Sequence, residues 1–173
     1  ALVTVVVVDA SDEDLHRLTE RVRPDILQLH GKESPVRAAE IAATTGLSLM
    51  KALAVSGVGD LDEIPRFRPF VDRILLDAKR PKGSALPGGN GVAFDWRILD
   101  AMGEDRDFTL SGGINADNVA EVVRRVRPRG LDVSSGVERE PGVKDIGMIH
   151  RFFDALDAAQ DEALSTEPER RSA

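Results

Sequence analysis

A chain of 173 residues suits one domain of ordinary size, and the absence of cysteine excludes disulfides, thiolate metal sites and cysteine nucleophiles from it. The net charge of −7 argues against a nucleic-acid partner, which needs a basic face, yet leaves room for a small anionic ligand at a local site. No apolar run approaches the roughly 20 residues of a membrane span, and Leu2–Val8 is too short and lacks a basic leader, so a cytoplasmic protein without membrane contact is expected.

Val3–Val8 is continuous and β-branched, which predicts a strand buried on both faces. Ser11 caps a helix carrying Leu15, Leu18 and Val22, with Asp14 as a weak capping-box partner. Ile26–Leu29 is a second strand, closed by His30-Gly31. Ser34-Pro35 opens a helix with Val36, Ala39, Ile41 and Ala42, and Gly46 ends it. Leu49–Val55 predicts a third strand, and Leu61–Phe70 a poor, proline-interrupted helix.

Arg73–Leu76 is a short apolar strand ending at Asp77. The glycine-rich stretch after it, "AKRPKGSALPGGNGVAF", fits a long loop that is either functional or disordered, and its "PGGNG" suggests a mobile lid. "DWRILDAM" predicts a short helix with Trp96 as a packing anchor. Phe108–Leu110 leads into Ser111-Gly112-Gly113, and Asn115 caps a helix striped by Val119, Val122, Val123 and Val126. Leu131–Val133 is the last strand. Ile146, Ile149, Phe152, Phe153 and Leu156 line the last helix, and from about Asp161 the composition predicts a disordered polar tail over 161–173.

Strand and helix thus alternate about six times over residues 1–160, which predicts one α/β domain with a parallel sheet. Both doubly wound and (β/α)₈ architectures fit this pattern. A complete barrel has about 250 residues and eight units, so six is two short.

In both architectures sites gather beyond the carboxyl ends of the strands. That selects His30, Asp77, Ser111-Gly112-Gly113, and Asp132 with Ser134-Ser135-Gly136. The last two groups are consecutive strand ends rich in glycine N–H groups. With helix N-termini expected behind them, they suit a phosphate. Asp77 ends an apolar strand, where it is either a helix cap or solvated turn, or a carboxyl whose pKa burial raises toward general-acid work. His30 alone reads as a hydrogen-bonded rim residue. Lys51 lies within a strand, either as a packed stem or as a Schiff-base amine.

The ordered set "DILQLHGKE", "LLDAK…PGGNGVAFDW", "LSGGINADNV" and "LDVSSGVEREPGVKD" resembles phosphoribosylanthranilate isomerase of tryptophan biosynthesis, from about Val3 to Phe153. The resemblance implies a TIM (β/α)₈ barrel, of which this chain covers six units, strands three to eight. It implies a cofactor-free Amadori rearrangement of N-(5-phosphoribosyl)anthranilate to 1-(2-carboxyphenylamino)-1-deoxyribulose 5-phosphate. Asp77 matches the family's general acid. Gly112, Gly113, Ser134, Ser135 and Gly136 match its phosphate contacts. Asp132 matches an acidic residue facing the substrate near its amino group, and His30 matches the "QLHG" histidine.

The family's first strand carries "KICG", whose cysteine is the general base, and a basic segment supplies an arginine for the anthranilate carboxylate. Neither has a counterpart here, so the sequence resembles the last three quarters of the enzyme, and a monomer or homodimer is expected. Two other readings compete: another sugar-phosphate enzyme on a barrel, and a non-catalytic phosphate-binding barrel fragment.

Overall fold

The computed structural model describes residues 1–78 and 96–166. It divides into two compact units: Ala1–Asp77 with Asp107–Thr109 forms the first, and the other described residues form the second.

In the first unit, strands β1 (Thr4–Val7), β2 (Ile26–Leu29), β3 (Ser48–Val55) and β4 (Arg73–Ala78) lie side by side in chain order. The β1–β2 and β2–β3 pairs are parallel, with Val6 opposite Gln28 and Gln28 opposite Met50. Parallel neighbours need crossover connections, and the two amphipathic helices supply them. α1 (Asp12–Val22) starts where the Ser11 hydroxyl accepts the Asp14 N–H. α2 (Pro35–Thr45) starts where Ser34 accepts from Arg37, and Gly46 ends it in the left-handed region at φ 65°.

Leu15, Ala38 and Ile41 from these helices pack with Val7, Leu27, Leu29 and Leu49. The opposite face holds a second apolar cluster of Ile26, Met50, Ala52 and Leu75. Strand β2 is therefore buried on both sides, Gln28 included, as its largely apolar character demands. Strand β1 is not. Val3, Val6 and Val8 are exposed. A β-branched run specifies a strand but not what covers it, and β1 stands at the end of the strand order with β2 as its neighbour. Val22 and Val36 also face solvent, so each helix buries a narrower stripe than expected. The proline-interrupted stretch forms α3 (Ile64–Phe67), flanked by 3₁₀ turns at Val58–Glu63 and Arg68–Phe70. Strand β4 runs past Leu76 and includes Asp77.

In the second unit a 3₁₀ segment, Trp96–Met102, buries Trp96 and Leu99. Strand β5 (Thr109–Ser111) and strand β6 (Gly130–Leu131) are neighbours, and the Asp132 N–H donates to the Leu110 carbonyl at 2.9 Å. The valine stripe holds, with Val119, Val122 and Val126 buried. Its helix is irregular: α4 (Val119–Glu121) passes into a π-type turn over Val122–Val126. Asn115 is not the cap. Its side chain accepts the Asp117 N–H in an Asx turn, and Asn118 precedes the helix.

The last strand is shorter than Leu131–Val133, and those residues are only partly buried. They line an open groove of about 840 Å³ with Ile149, Phe152, Phe153 and Leu156. A small antiparallel hairpin follows, β7 (Glu138–Glu140) and β8 (Val143–Lys144), turning at Gly142 with φ 82°. Its charged sequence lacks the apolar alternation that announces a strand. Helix α5 (Ile146–Thr166) buries Phe152 and Ala159 and leaves Ile146 and Phe153 exposed. It continues through Asp161 into the stretch expected to be a tail. The rest of that stretch and the "PGGNG" lid lie outside the described residues.

Candidate active site

Side chains alternate across a strand, so Ile26, Gln28 and His30 project to one face of β2 and its extension. Leu75 shares a cluster with Ile26, and Asp77 lies two residues beyond it on the same face of β4. The fold thereby brings His30 to Asp77, with Nε2 3.6 Å from Oδ2. The two side chains are 38% and 25% exposed, so both are open to a ligand and the burial expected at Asp77 is partial. Gln28 Nε2 lies 3.2 Å from His30 Nδ1.

The loop carrying His30 is pinned from below. Lys51 reaches up from β3, and its Nζ donates to the carbonyl of Gly31 and the carboxylate of Glu33, each at 2.8 Å. Glu33 accepts the backbone N–H groups of Asp9 and Gly31, and Asp9 accepts that of Lys32. Burial acts to raise the Glu33 pKa, but the Lys51 hydrogen bond and the Asp9 and Glu33 backbone amides prevail and hold it below the usual carboxylate value. Gly31 must be glycine, because a Cβ there would sit 2.5 Å from the Asp9 carboxylate. Lys51 is thus an ion-paired structural cation over the Phe67 ring, not a free amine poised for a Schiff base.

In the second unit the loops after β5 and β6 come together. The Ser111 hydroxyl donates to Asp132 Oδ2 at 2.6 Å. A Cβ on Gly136 would lie 1.9 Å from the Ile114 carbonyl oxygen, so only glycine permits this approach. Gly112 and Gly113 adopt φ of 96° and 70°. Ser134 and Ser135 are exposed beside them. Among the described residues, no long regular α-helix begins directly behind these two loops. The three-residue α4 begins six positions after Gly113, and one 3₁₀ turn, Ser135–Val137, follows Ser134. Any anion here meets loop N–H groups and hydroxyls rather than a long helix dipole.

Sequence reasoning missed three residues. Gln28 hides inside an apolar strand, where its polarity is the signal. Glu33 is buried although its type favours the surface. Lys144, within the "PGVKD" motif, donates to the Ser134 carbonyl at 2.8 Å, the Ser134 hydroxyl at 3.1 Å and Glu138 at 2.6 Å. The Lys144 hydrogen bond, then the Gly142 amide, hold the Glu138 carboxyl below its usual value.

A family model described as N-(5'-phosphoribosyl)anthranilate (PRA) isomerase matches residues 1–155. The N-(5'-phosphoribosyl)anthranilate isomerase of Mesorhizobium japonicum is 52% identical over 162 residues, covering 94% of this chain and 74% of the relative. That of Agrobacterium fabrum is 53% identical over 90% of this chain and 71% of its own length. Among solved structures, the phosphoribosyl anthranilate isomerase of Thermotoga maritima matches with a TM-score of 0.77 at 35% identity, over 91% of this chain and 74% of that one. Another, in complex with reduced 1-(o-carboxyphenylamino)-1-deoxyribulose 5-phosphate, matches with a TM-score of 0.74 at 32% identity, over 91% and 72%. The chain therefore belongs to the N-(5'-phosphoribosyl)anthranilate isomerase family.

Proposed function

We propose that this chain isomerises N-(5'-phosphoribosyl)anthranilate by an Amadori rearrangement, with Asp77 as the proton donor and the loops after β5 and β6 as the phosphate grip. Its six strand-and-helix units correspond to strands three to eight of a (β/α)₈ barrel. The protein works in the cytoplasm as a monomer or homodimer, without a cofactor. The observation that carries the catalytic assignment is the position of Asp77, at the end of an apolar strand, partly exposed and facing His30.

The protonated carboxyl of Asp77 donates to the ribose ring oxygen. The C1–O bond breaks, and the anthranilate nitrogen lone pair forms the C1=N bond of a Schiff base. A base then takes the C2 proton, a part that falls to the "KICG" cysteine in the family and to no cysteine of these 173 residues, and the enolamine that forms tautomerises to the 2-ketone. In the second unit, the backbone N–H groups of Gly112, Gly113 and Gly136 and the hydroxyls of Ser134 and Ser135 hold the 5'-phosphate. Asp132, oriented by the Ser111 hydroxyl, accepts a hydrogen bond from the substrate's amino group.

The experiment is Asp77→Asn, assayed with the family's cysteine-bearing segment supplied in trans. A catalytic acid predicts retained affinity for the reduced product analogue and a fall in turnover of about 100-fold or more, the usual worth of general acid catalysis. Unchanged turnover would remove Asp77 from the mechanism. A second reading, a phosphate-binding module without catalysis, is favoured by one observation: these 173 residues contain no cysteine to act as the family's base. That reading predicts analogue binding with no conversion of phosphoribosylanthranilate, even when the family's cysteine-bearing segment is supplied in trans.

A further inference from the structure

We infer that Gln28 sets the tautomer of His30 so that an imidazole N–H faces Asp77, making Gln28 and His30 a positioning pair for the proton donor. This inference rests on the assignment of Asp77 as the acid.

Gln28 is 7% exposed, on the strand face that also carries Ile26 and lies opposite Met50. A buried amide is costly unless hydrogen-bonded, and the partner of its nitrogen is His30 Nδ1 at 3.2 Å. An amide NH₂ is donor only, so Nδ1 must accept, and the neutral ring then carries its proton on Nε2. That nitrogen lies 3.6 Å from Asp77 Oδ2, near enough for a small rotation to make a hydrogen bond.

The consequence falls on the carboxyl. With Oδ2 turned toward the His30 N–H, the acid's proton belongs on Oδ1, the oxygen left free for the substrate. After Oδ1 gives up its proton, the same N–H stabilises the carboxylate charge. His30 itself transfers no proton. The reverse amide orientation places Gln28 Oε1 against Nδ1, demands Nδ1–H, and leaves a bare Nε2 lone pair toward Asp77. It would make His30 an acceptor of the acid's proton instead.

Two measurements separate these states. In ¹⁵N-labelled protein, long-range ¹H–¹⁵N correlations should report His30 as the Nε2–H tautomer. The near-isosteric Gln28→Glu change should convert it to the Nδ1–H or doubly protonated form, because a carboxylate only accepts. Affinity for the reduced product analogue should stay within about twofold while kcat falls roughly 10- to 100-fold, the scale of a misplaced catalytic group. An Nδ1–H tautomer in the unsubstituted protein overturns the inference, and so does an unchanged kcat in Gln28→Glu. Full turnover in Asp77→Asn would instead defeat the acid assignment on which the inference rests, while the NMR readout would still report the ring's tautomer.

Discussion

Lys51 and Glu33 form an ion pair at 2.8 Å with side chains only 4% and 2% exposed. A pair so buried is held by geometry, and removing one partner strands the other charge in a dry site. Glu33→Gln and Lys51→Met should each destabilise the fold by about 3–5 kcal/mol at neutral pH, measured by urea unfolding. Paired replacement by apolar residues should cost less than either single change.

The same pair predicts a pH dependence. Glu33 has a folded pKa below its unfolded value, so its ionisation stabilises the fold above the ordinary glutamate range, about 4.3. That contribution is lost as pH falls through the lowered folded value. Unfolding midpoints for the parent and Glu33→Gln should therefore converge on acidification below about pH 4. A gap that stays constant from neutral to acid would show that Glu33 ionisation contributes nothing.

Two glycines separate conformational freedom from close approach. At Gly136 a Cβ would stand 1.9 Å from a backbone carbonyl oxygen, which cannot yield without moving the loop. At Gly113, φ is 70° but nothing lies within 4 Å of the added Cβ. Gly113→Ala should therefore cost about 1–2 kcal/mol of left-handed strain and little else. Gly136→Ala should displace the loop and weaken inorganic phosphate binding by more than about tenfold, the scale of 1.4 kcal/mol. Equal affinities in the two variants, measured by calorimetry, would remove the phosphate role from Gly136.

These cases mark what was legible in advance. Helix α2 was readable because Ser34-Pro35 and Gly46 act locally, through a cap, a fixed φ and a left-handed stop. His30 and Asp77 were readable as strand ends. The exposure of Val6 and Val8 was not, since it depends on which neighbour covers β1. Glu33 matters through Lys51 and Asp9, remote in sequence, Lys144 through Ser134 and Glu138 across a hairpin built from charged residues, and Gln28 through a side-chain contact with His30 two residues on. Strand periodicity places such side chains on a face but does not say what they meet.

Lys144 anchors the hairpin to the Ser134 loop. Its ammonium bonds Glu138 and both oxygens of Ser134. Lys144→Met should move the Glu138 pKa upward, because its largest lowering influence is removed while the Gly142 amide remains. A carboxyl ¹³C titration reads this directly. An unchanged Glu138 titration would mean that the pair does not persist in solution.

Phe153 offers the last prediction. It is 55% exposed on α5, stacked edge-on against buried Phe152 at 5.7 Å, and lines the same groove as Leu131 and Val133. An open apolar groove favours dye binding and association. Nearly half of Phe153 is withdrawn from water, so Phe153→Ser should lower unfolding free energy by only about 1–2 kcal/mol, its helix-propensity cost included. It should nevertheless lower anilinonaphthalene sulfonate fluorescence and concentration-dependent association in sedimentation velocity. Large destabilisation with unchanged dye binding would place Phe153 in the core instead, contrary to its exposure.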